Sequence, residues 1–364
     1  MHWRRTAVES VRPSRFRPSF CPWPECLAHR APGRGFHRHG FFRRKDDPRR
    51  VPRFLCLDCR RTCSRQTFSC TYYLKRPELL PEVAAGLVAC SAHRQIARSR
   101  GCAKTSVTRL AERLSRHAVL LQARAEASLP MLREAVVHDH FETFVGRQDR
   151  ALGIGTAVAS RSRFVFGPDP APHRGSGRRP DRMERTGDAE GGNRAYIRSI
   201  SRSLDRLARL APADRPLVLV VDGRKDYRVA LRRHPHRARF RLAVYPNPVR
   251  GPKGAPRSRE AIARDRAMGP VDQLHQLIRH TCADHKRETI AFGRRLASIL
   301  GRQYLIAVWK NFIKGRSERR PDRTTPAMTL GLAESPWRWE HVLVERLFPG
   351  RENPPGSWLP YLQR

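Results

Sequence analysis

Two sets of residues in this 364-residue chain have the types and spacing of metal ligands. The first is thiol-based. Cys21-x4-Cys26 is followed by Cys56-x2-Cys59, and six of the nine cysteines lie before residue 71. Two short cysteine pairs, each on a turn, present four thiolates tetrahedrally to Zn2+, with a small ribbon held in the loop between. A structural zinc would replace the hydrophobic core that roughly 50 residues cannot build. The odd cysteine count and the clustering favour metal over disulfides. Cys63, Cys70, His37 and His39 remain open as substitute ligands.

The second set is acidic, in a chain whose formal charge is +40. Asp139 sits inside the strand-like VVHDHFETFVG. Asp222 ends the apolar run LVLVVD. Asp272 lies in the helical stretch GPVDQLHQLIRH. Strand, strand and helix is a layout that brings three carboxylates to one sheet edge. Two Mg2+ or Mn2+ ions about 4 Å apart need such shared oxygen ligands. Asp139 would bridge the two ions, with Asp222 and Asp272 holding one side each. Asp222 has a rival reading as a helix N-cap, and Asp272 as a helix-start residue after Pro270. Asp265, Asp284 and Glu288 compete with Asp272 for the third position. His138 and His140 flank Asp139 and share the opposite strand face, which makes them packing or DNA-facing residues rather than ligands.

The elements that position these residues follow from periodicity and composition. Residues 1–20 read as a basic arm and 21–73 as a zinc-ribbon-like region whose middle is basic and strand-poor. Residues 74–125 read as helices. Within them, Arg94–Arg98 is a short helix, Gly101 supplies a turn, and Thr105 caps a second helix from Ser106 to Arg116. Val107, Leu110, Ala111 and Leu114 form its inner face. Ser106, Thr108, Arg109 and Arg113 project the other way, where a recognition helix meets DNA. Residues 130–320 form a further domain. It has strands over 136–167, a flexible insert at 168–192, an amphipathic helix at 194–210, strands at 217–222 and 240–245, and mostly helix from 260 to 312. Residues 321–364 are a tail. The fold class expected is multidomain α+β.

Nucleic acid is the partner that this charge implies, because so basic a chain repels itself until a polyanion neutralises it. Of its 73 basic residues 65 are arginine, a side chain that binds phosphate through a two-pronged fork. Lys253, Arg257 and Arg259 in a Pro/Gly loop, with Arg279, Lys286 and Arg287, are candidate DNA-backbone contacts. No apolar run approaches a membrane span and the N-terminus has no signal-peptide core, so the expected location is cytoplasmic.

The blocks around the acids resemble those of DDE/D insertion-sequence transposases, especially families with a fused zinc-finger and helix-turn-helix front end. Asp139, Thr143, Phe144, Val145 and Gly146 match the first-aspartate strand, with Glu142 where an aromatic is common. Asp222, Gly223 and Tyr227 match an Asp-Gly-x-x-x-Tyr block. Arg287, Glu288, Thr289, Ile290 and Phe292 resemble the later basic helix, and Thr325, Pro326 and Ala327 a C-terminal Thr-Pro-Ala signature. Counting back from the basic helix puts the third acid at Asp272, where most such enzymes carry glutamate. That departure implies a DDD variant or an impaired copy.

The resemblance implies a ribonuclease-H-like α/β catalytic domain with a helical C-terminal part. It implies two catalytic Mg2+ (or Mn2+) ions, a structural Zn2+, and double-stranded DNA as partner, both transposon ends and target. It also implies a homo-oligomer in the synaptic complex and a bacterial source. The activity implied is metal-dependent cleavage and strand transfer of insertion-sequence ends. Two rival functions are a DNA-binding regulator with a degenerate catalytic domain, and a ribonuclease-H-like nuclease that cuts without joining.

Overall fold

The structure is a computed structural model and describes residues 16–44, 47–173, 193–249, 252, 256–286, 290–318 and 321–362. The described residues form a mixed α+β structure with two sheets. It divides into two compact units: Met1–Pro77 with Val344–Asn353, and Glu78–Leu343 with Pro354–Arg364. No helix among the described residues is long and apolar enough to cross a membrane.

The first unit is built on β1 (Phe36–Arg44), β2 (Asp47–Cys56) and β3 (Thr62–Ser64), an antiparallel sheet in that order. The strand-poor reading of this stretch is thereby corrected. The arginines within both strands obscured it, while Val51, Phe54 and Cys56 of β2 are buried beneath the charge. Phe54, Cys63 and Phe68 form a small core joined by Phe16 and Phe20, with ring centroids of Phe16–Phe54 at 5.7 Å and Phe20–Phe68 at 5.1 Å. Residues 16–20 of the expected basic arm thus belong to the ribbon's packing. Residues 1–15 lie outside the described residues.

In the second unit come α1 (Leu79–Val88), α2 (His93–Ser99) and α3 (Lys104–Ala127). Gly101, at φ +56°, makes the turn between α2 and α3 as the sequence suggests. Thr105 does not cap α3. Ala103 holds that position in an extended conformation, and the helix runs to Ala127, well past Arg116. Ala118–Leu121, Ala123 and Ala125 are buried, so α3 is amphipathic only in its first half and a core helix in its second. The helices therefore do not form a unit separate from the second sheet.

That sheet has the order β6-β5-β4-β7-β8. β4 (Val136–Val145) pairs antiparallel with β5 (Arg147–Ala159), which pairs antiparallel with β6 (Asp169–Pro172). On its other side β4 runs parallel to β7 (Leu217–Val221), and β7 parallel to β8 (Phe240–Val244). The expected insert therefore begins later than residue 168, since Asp169 opens an edge strand. Asp169 is fully buried and ion-paired with Arg202 and Arg206 of α4 (Arg194–Leu210), which fixes β6 beneath that helix. The rest of the insert, 174–192, is outside the described residues.

α4 buries Ile197, Ile200, Leu204, Leu207 and Ala208 on one face, as the amphipathic helix expected at 194–210 would. α5 (Lys225–Arg233) follows β7. α6 (Arg259–Thr281) starts at Ser258, whose hydroxyl accepts from Ala261 N at 3.1 Å. It continues through Pro270, so Asp272 lies inside a helix and the helix-start reading falls away. α7 (Leu296–Val308) packs against α3 and runs into a π-helical turn at Trp309–Ile313. In the tail, Thr325 caps α8 (Pro326–Thr329), and Trp337 packs on Phe312 at 4.5 Å.

Candidate metal centres

The thiol site comes from two turns. Cys21 N bonds Ala28 O at 2.9 Å and Cys26 N bonds Trp23 O at 3.1 Å, which folds the first pair back on itself. Cys56 ends β2. The next turn is closed by Arg60 N to Cys56 O and Cys56 N to Arg61 O, each 3.0 Å, with Arg60 at φ +59°. Four sulfurs result within 4.8 Å of one another, with Cys21–Cys59 at 3.7 Å and Cys26–Cys56 at 3.8 Å. A tetrahedral zinc with bonds of about 2.3 Å has sulfur–sulfur edges of about 3.8 Å. These four cysteines can bind a structural zinc. Burial holds the thiols of Cys21 and Cys26 above their ordinary range, a state that a cation would reverse.

Of the four open substitutes, Cys63 packs in the phenylalanine core, and neither Cys70, His37 nor His39 joins the sulfur cluster. His29, which no spacing rule singles out, is buried and donates from Nδ1 to Cys21 O at 2.7 Å. It orders the first cysteine's loop from behind.

The acidic site is assembled across the second sheet. β4 and β7 pair as Val136↔Leu219 and Val137↔Val220. Continuing that register two residues sets Asp139 level with Asp222, which directly follows the end of β7. Asp222 is 9% exposed, and its Oδ1 accepts from Arg224 N at 3.0 Å. It thus turns the chain into α5, while the helix N-cap position itself belongs to Arg224. Asp139 Oδ1 accepts from His140 N at 2.8 Å. Burial, reinforced by the Asp222 charge, pushes the Asp139 carboxyl up to about 7. Burial also raises Asp222, against the backbone bond from Arg224.

Asp272 reaches this edge from α6, and its charge acts on Asp139. It is ion-paired to Arg264, whose own charge bears on Asp139 and Asp222 as well. A guanidinium thus sits among the three acids as their countercation. The three carboxylates are not among the groups whose ligand atoms converge within 4.8 Å. Asp265 is paired with Arg257 and Arg264, and Asp284 with Arg302. Glu288 is outside the described residues.

His275, one helical turn beyond Asp272 on α6, enters the acidic site directly. Thr156 Oγ1 donates to Asp139 O at 2.9 Å, so the 2.7 Å bond between Thr156 Oγ1 and His275 Nε2 has the imidazole as donor. That leaves Nδ1 with a lone pair, 3.9 Å from Asp139 Oδ2. Burial, with the charge of Arg279 adding to it, lowers His275 to about 3 and keeps it neutral. The helical spacing of Asp272 and His275 contained the signal, but which ring nitrogen faces the acid depends on Thr156.

His138 and His140 lie on the other face, as strand alternation requires. His138 bonds Tyr227 and Ser203 at 3.0 and 3.2 Å, and His140 bonds Ser199 at 3.3 Å. Both are buried, so the packing alternative holds and the DNA-facing one does not.

The candidate DNA contacts divide. Ser106 and Arg109 are exposed on the first half of α3, and Arg113 is half-buried beside them. Thr108 instead bonds Lys104 O and His93 Nδ1, each at 3.1 Å, which turns its hydroxyl towards α2. Arg257, Arg259 and Lys286 are exposed, with Arg257 paired to Asp265. Arg279 lies over the Phe141 ring at 4.7 Å and is better described as packing on the sheet. Lys253 and Arg287 are outside the described residues. No family model matches the chain, and no curated protein does either, so function has to be read from these residues themselves.

Proposed function

We propose that this chain is a DDE/D-type transposase, which binds insertion-sequence ends and carries out metal-dependent DNA cleavage and strand transfer. What carries the reading is that continuing the β4–β7 register brings Asp139 level with Asp222, the residue just past the end of β7, with Asp139 raised to about 7 by burial and the charge of Asp222. Acids brought together in this way favour a divalent cation that neutralises both. The layout supports it too: acids on the first strand, at the end of its parallel neighbour and on a helix are what a ribonuclease-H-like domain requires.

The ions, Mg2+ or Mn2+, would be held by Asp139, Asp222 and Asp272, and would supply an activated water and charge neutralisation at the leaving oxygen. The residues' own work is positional. Asp222 is aimed by the Arg224 amide, Asp139 by the His140 amide, and neutral His275 presents a lone pair beside Asp139. Double-stranded DNA is the partner, engaged through the exposed start of α3 and the basic surface near the head of α6. Bringing two transposon ends together calls for a homo-oligomer.

One observation favours a second reading, a DNA-binding regulator with a degenerate catalytic edge: Arg264 pairs with Asp272 and occupies the ground a cation would take. A single assay separates these readings. The protein is incubated with Mg2+, labelled candidate end DNA and a target plasmid. Joined products support the transposase, cleavage without joining a nuclease, and binding alone the regulator.

A further inference from the structure

A third cluster of ligand-type side chains lies at the C-terminal end of α6. There Cys282, Asp284 and His285 bring one sulfur, one carboxylate oxygen and one imidazole nitrogen within 4.8 Å of one another. A tight 3-10 turn, closed by His285 N to Cys282 O at 3.1 Å, delivers all three from four consecutive residues. Cys282 and His285 are buried, at 0% and 3% exposure.

The imidazole and the carboxylate are each oriented by a partner that leaves a second ligand atom turned inward. His285 Nδ1 bonds Thr143 Oγ1 of β4 at 3.2 Å. Its Nε2 is buried, lies 3.9 Å from Asp284 Oδ2, and has no hydrogen-bond partner among the described residues. Asp284 Oδ1 is taken by Arg302 of α7 at 2.7 Å, which leaves Oδ2 facing the histidine. A buried imidazole nitrogen with no partner is destabilising relative to one that is satisfied. A metal ion supplies the missing partner, and the Thr143 bond is the outer contact that ligating histidines characteristically have.

From this geometry we infer that Cys282, Asp284 and His285 form a second zinc site, distinct from the four-cysteine site and from the carboxylate edge. Sulfur, imidazole and carboxylate together suit Zn2+ rather than Mg2+, which takes oxygen alone. The set gives three ligands of a tetrahedron. Cys90, in the turn between α1 and α2, is held close by its N–H bond to Thr281 O at 2.8 Å, but its sulfur is not among the atoms that converge within 4.8 Å, so the set itself supplies three ligands and leaves the fourth position open. Arg302 holds Asp284 ionised against burial, and burial keeps His285 neutral, the protonation states that ligands need. Only the Cys282 thiol has to lose a proton on binding. The ion would tie the end of the helix that carries Asp272 and His275 to β4. It is independent of whether the acids cut DNA.

The test is zinc content of the full chain, purified through a chelating resin, for wild type, Cys282→Ser, His285→Gln and the ribbon variant Cys59→Ser. The expected result is one equivalent fewer in each of Cys282→Ser and His285→Gln than in wild type. Cys59→Ser should lose only the ribbon's equivalent. Folded Cys282→Ser and His285→Gln proteins with wild-type zinc overturn the site. If those two variants fail to fold, Co2+ is titrated into the metal-free full chain carrying Cys21, Cys26, Cys56 and Cys59 all as serine. A tetrahedral cobalt spectrum with a thiolate charge-transfer band at one equivalent supports the site, and its absence overturns it.

Discussion

The four-cysteine site and the carboxylate edge are both places where like-charged ligands must gather, yet their metal-free forms differ. In the ribbon, two local turns bring four sulfurs to spacings that fit zinc, with His29 bonded behind Cys21. At the sheet edge, acids from β4, β7 and α6 approach without converging, and Arg264 stands among them. Neutral thiols can crowd together without a cation, because their protons stay on. Carboxylates of ordinary pKa cannot, so a metal-free acidic site needs a countercharge or a raised pKa. This one has both. An ion would complete the fold at the first site and would have to displace a side chain at the second.

The largest effect that would test this contrast is removal of the ribbon zinc. Structural zinc in small domains contributes about 10–16 kcal/mol of apparent binding free energy, which here would be folding free energy. Strong chelation, or Cys56→Ser, is expected to unfold the first unit. Limited proteolysis reads this as new cleavage before residue 77. A chelated protein that resists protease there would break the comparison at its ribbon side.

Next is the chemistry. Asp139→Asn or Asp222→Asn is expected to lower DNA end cleavage about a thousandfold or more, ~4 kcal/mol of barrier. Cleavage that survives either change would remove the carboxylate edge from consideration as the reacting site.

The pH dependence follows from Asp139. Its folded-state value of about 7 lies above the ordinary 3.8, so the folded protein holds the proton more tightly than the unfolded chain. Stability of the metal-free protein therefore falls as pH rises between those two values and is lowest above 7, by roughly 4 kcal/mol at most. Asp139→Asn should melt higher than wild type at pH 8 without added Mg2+ or Mn2+, and about equally at pH 4. For the wild type, Mn2+ binding should tighten as pH rises through 7. Calorimetry showing flat affinity across that range would mean Asp139 is already ionised.

The smallest expected effect is at Arg264. Arg264→Met removes the cation that competes with metal and should tighten Mn2+ binding about tenfold, ~1.4 kcal/mol. Weaker binding in that variant would mean the arginine organises Asp272 for the metal, and would sharpen the difference between the two sites in the opposite direction.

The sequence by itself determined the local features. Cysteine spacing identified the four clustered thiols, because a zinc knuckle is a turn whose ligands lie three residues apart. Alternation on β4 separated Asp139 from His138 and His140. The 3.6-residue period gave the buried face of α4, and Gly101 gave the turn between α2 and α3. Strands β1 and β2 were hidden because their arginines, two pairs of them adjacent, interrupted the apolar pattern and lowered the apparent hydrophobicity. The burial of the second half of α3 was hidden for another reason: nothing local distinguishes an apolar helical stretch packed on α7 from one at a surface.

Only the tertiary structure decided what depends on distant residues meeting. The parallel register set Asp139 level with Asp222 across more than eighty residues of chain. α6 brought Asp272 with Arg264 attached. Thr156 fixed which nitrogen of His275 faces the acid. The reason is physical: turns and periodicities are set by neighbours along the backbone. The charge state and partner of a buried side chain are set by whatever the fold packs against it.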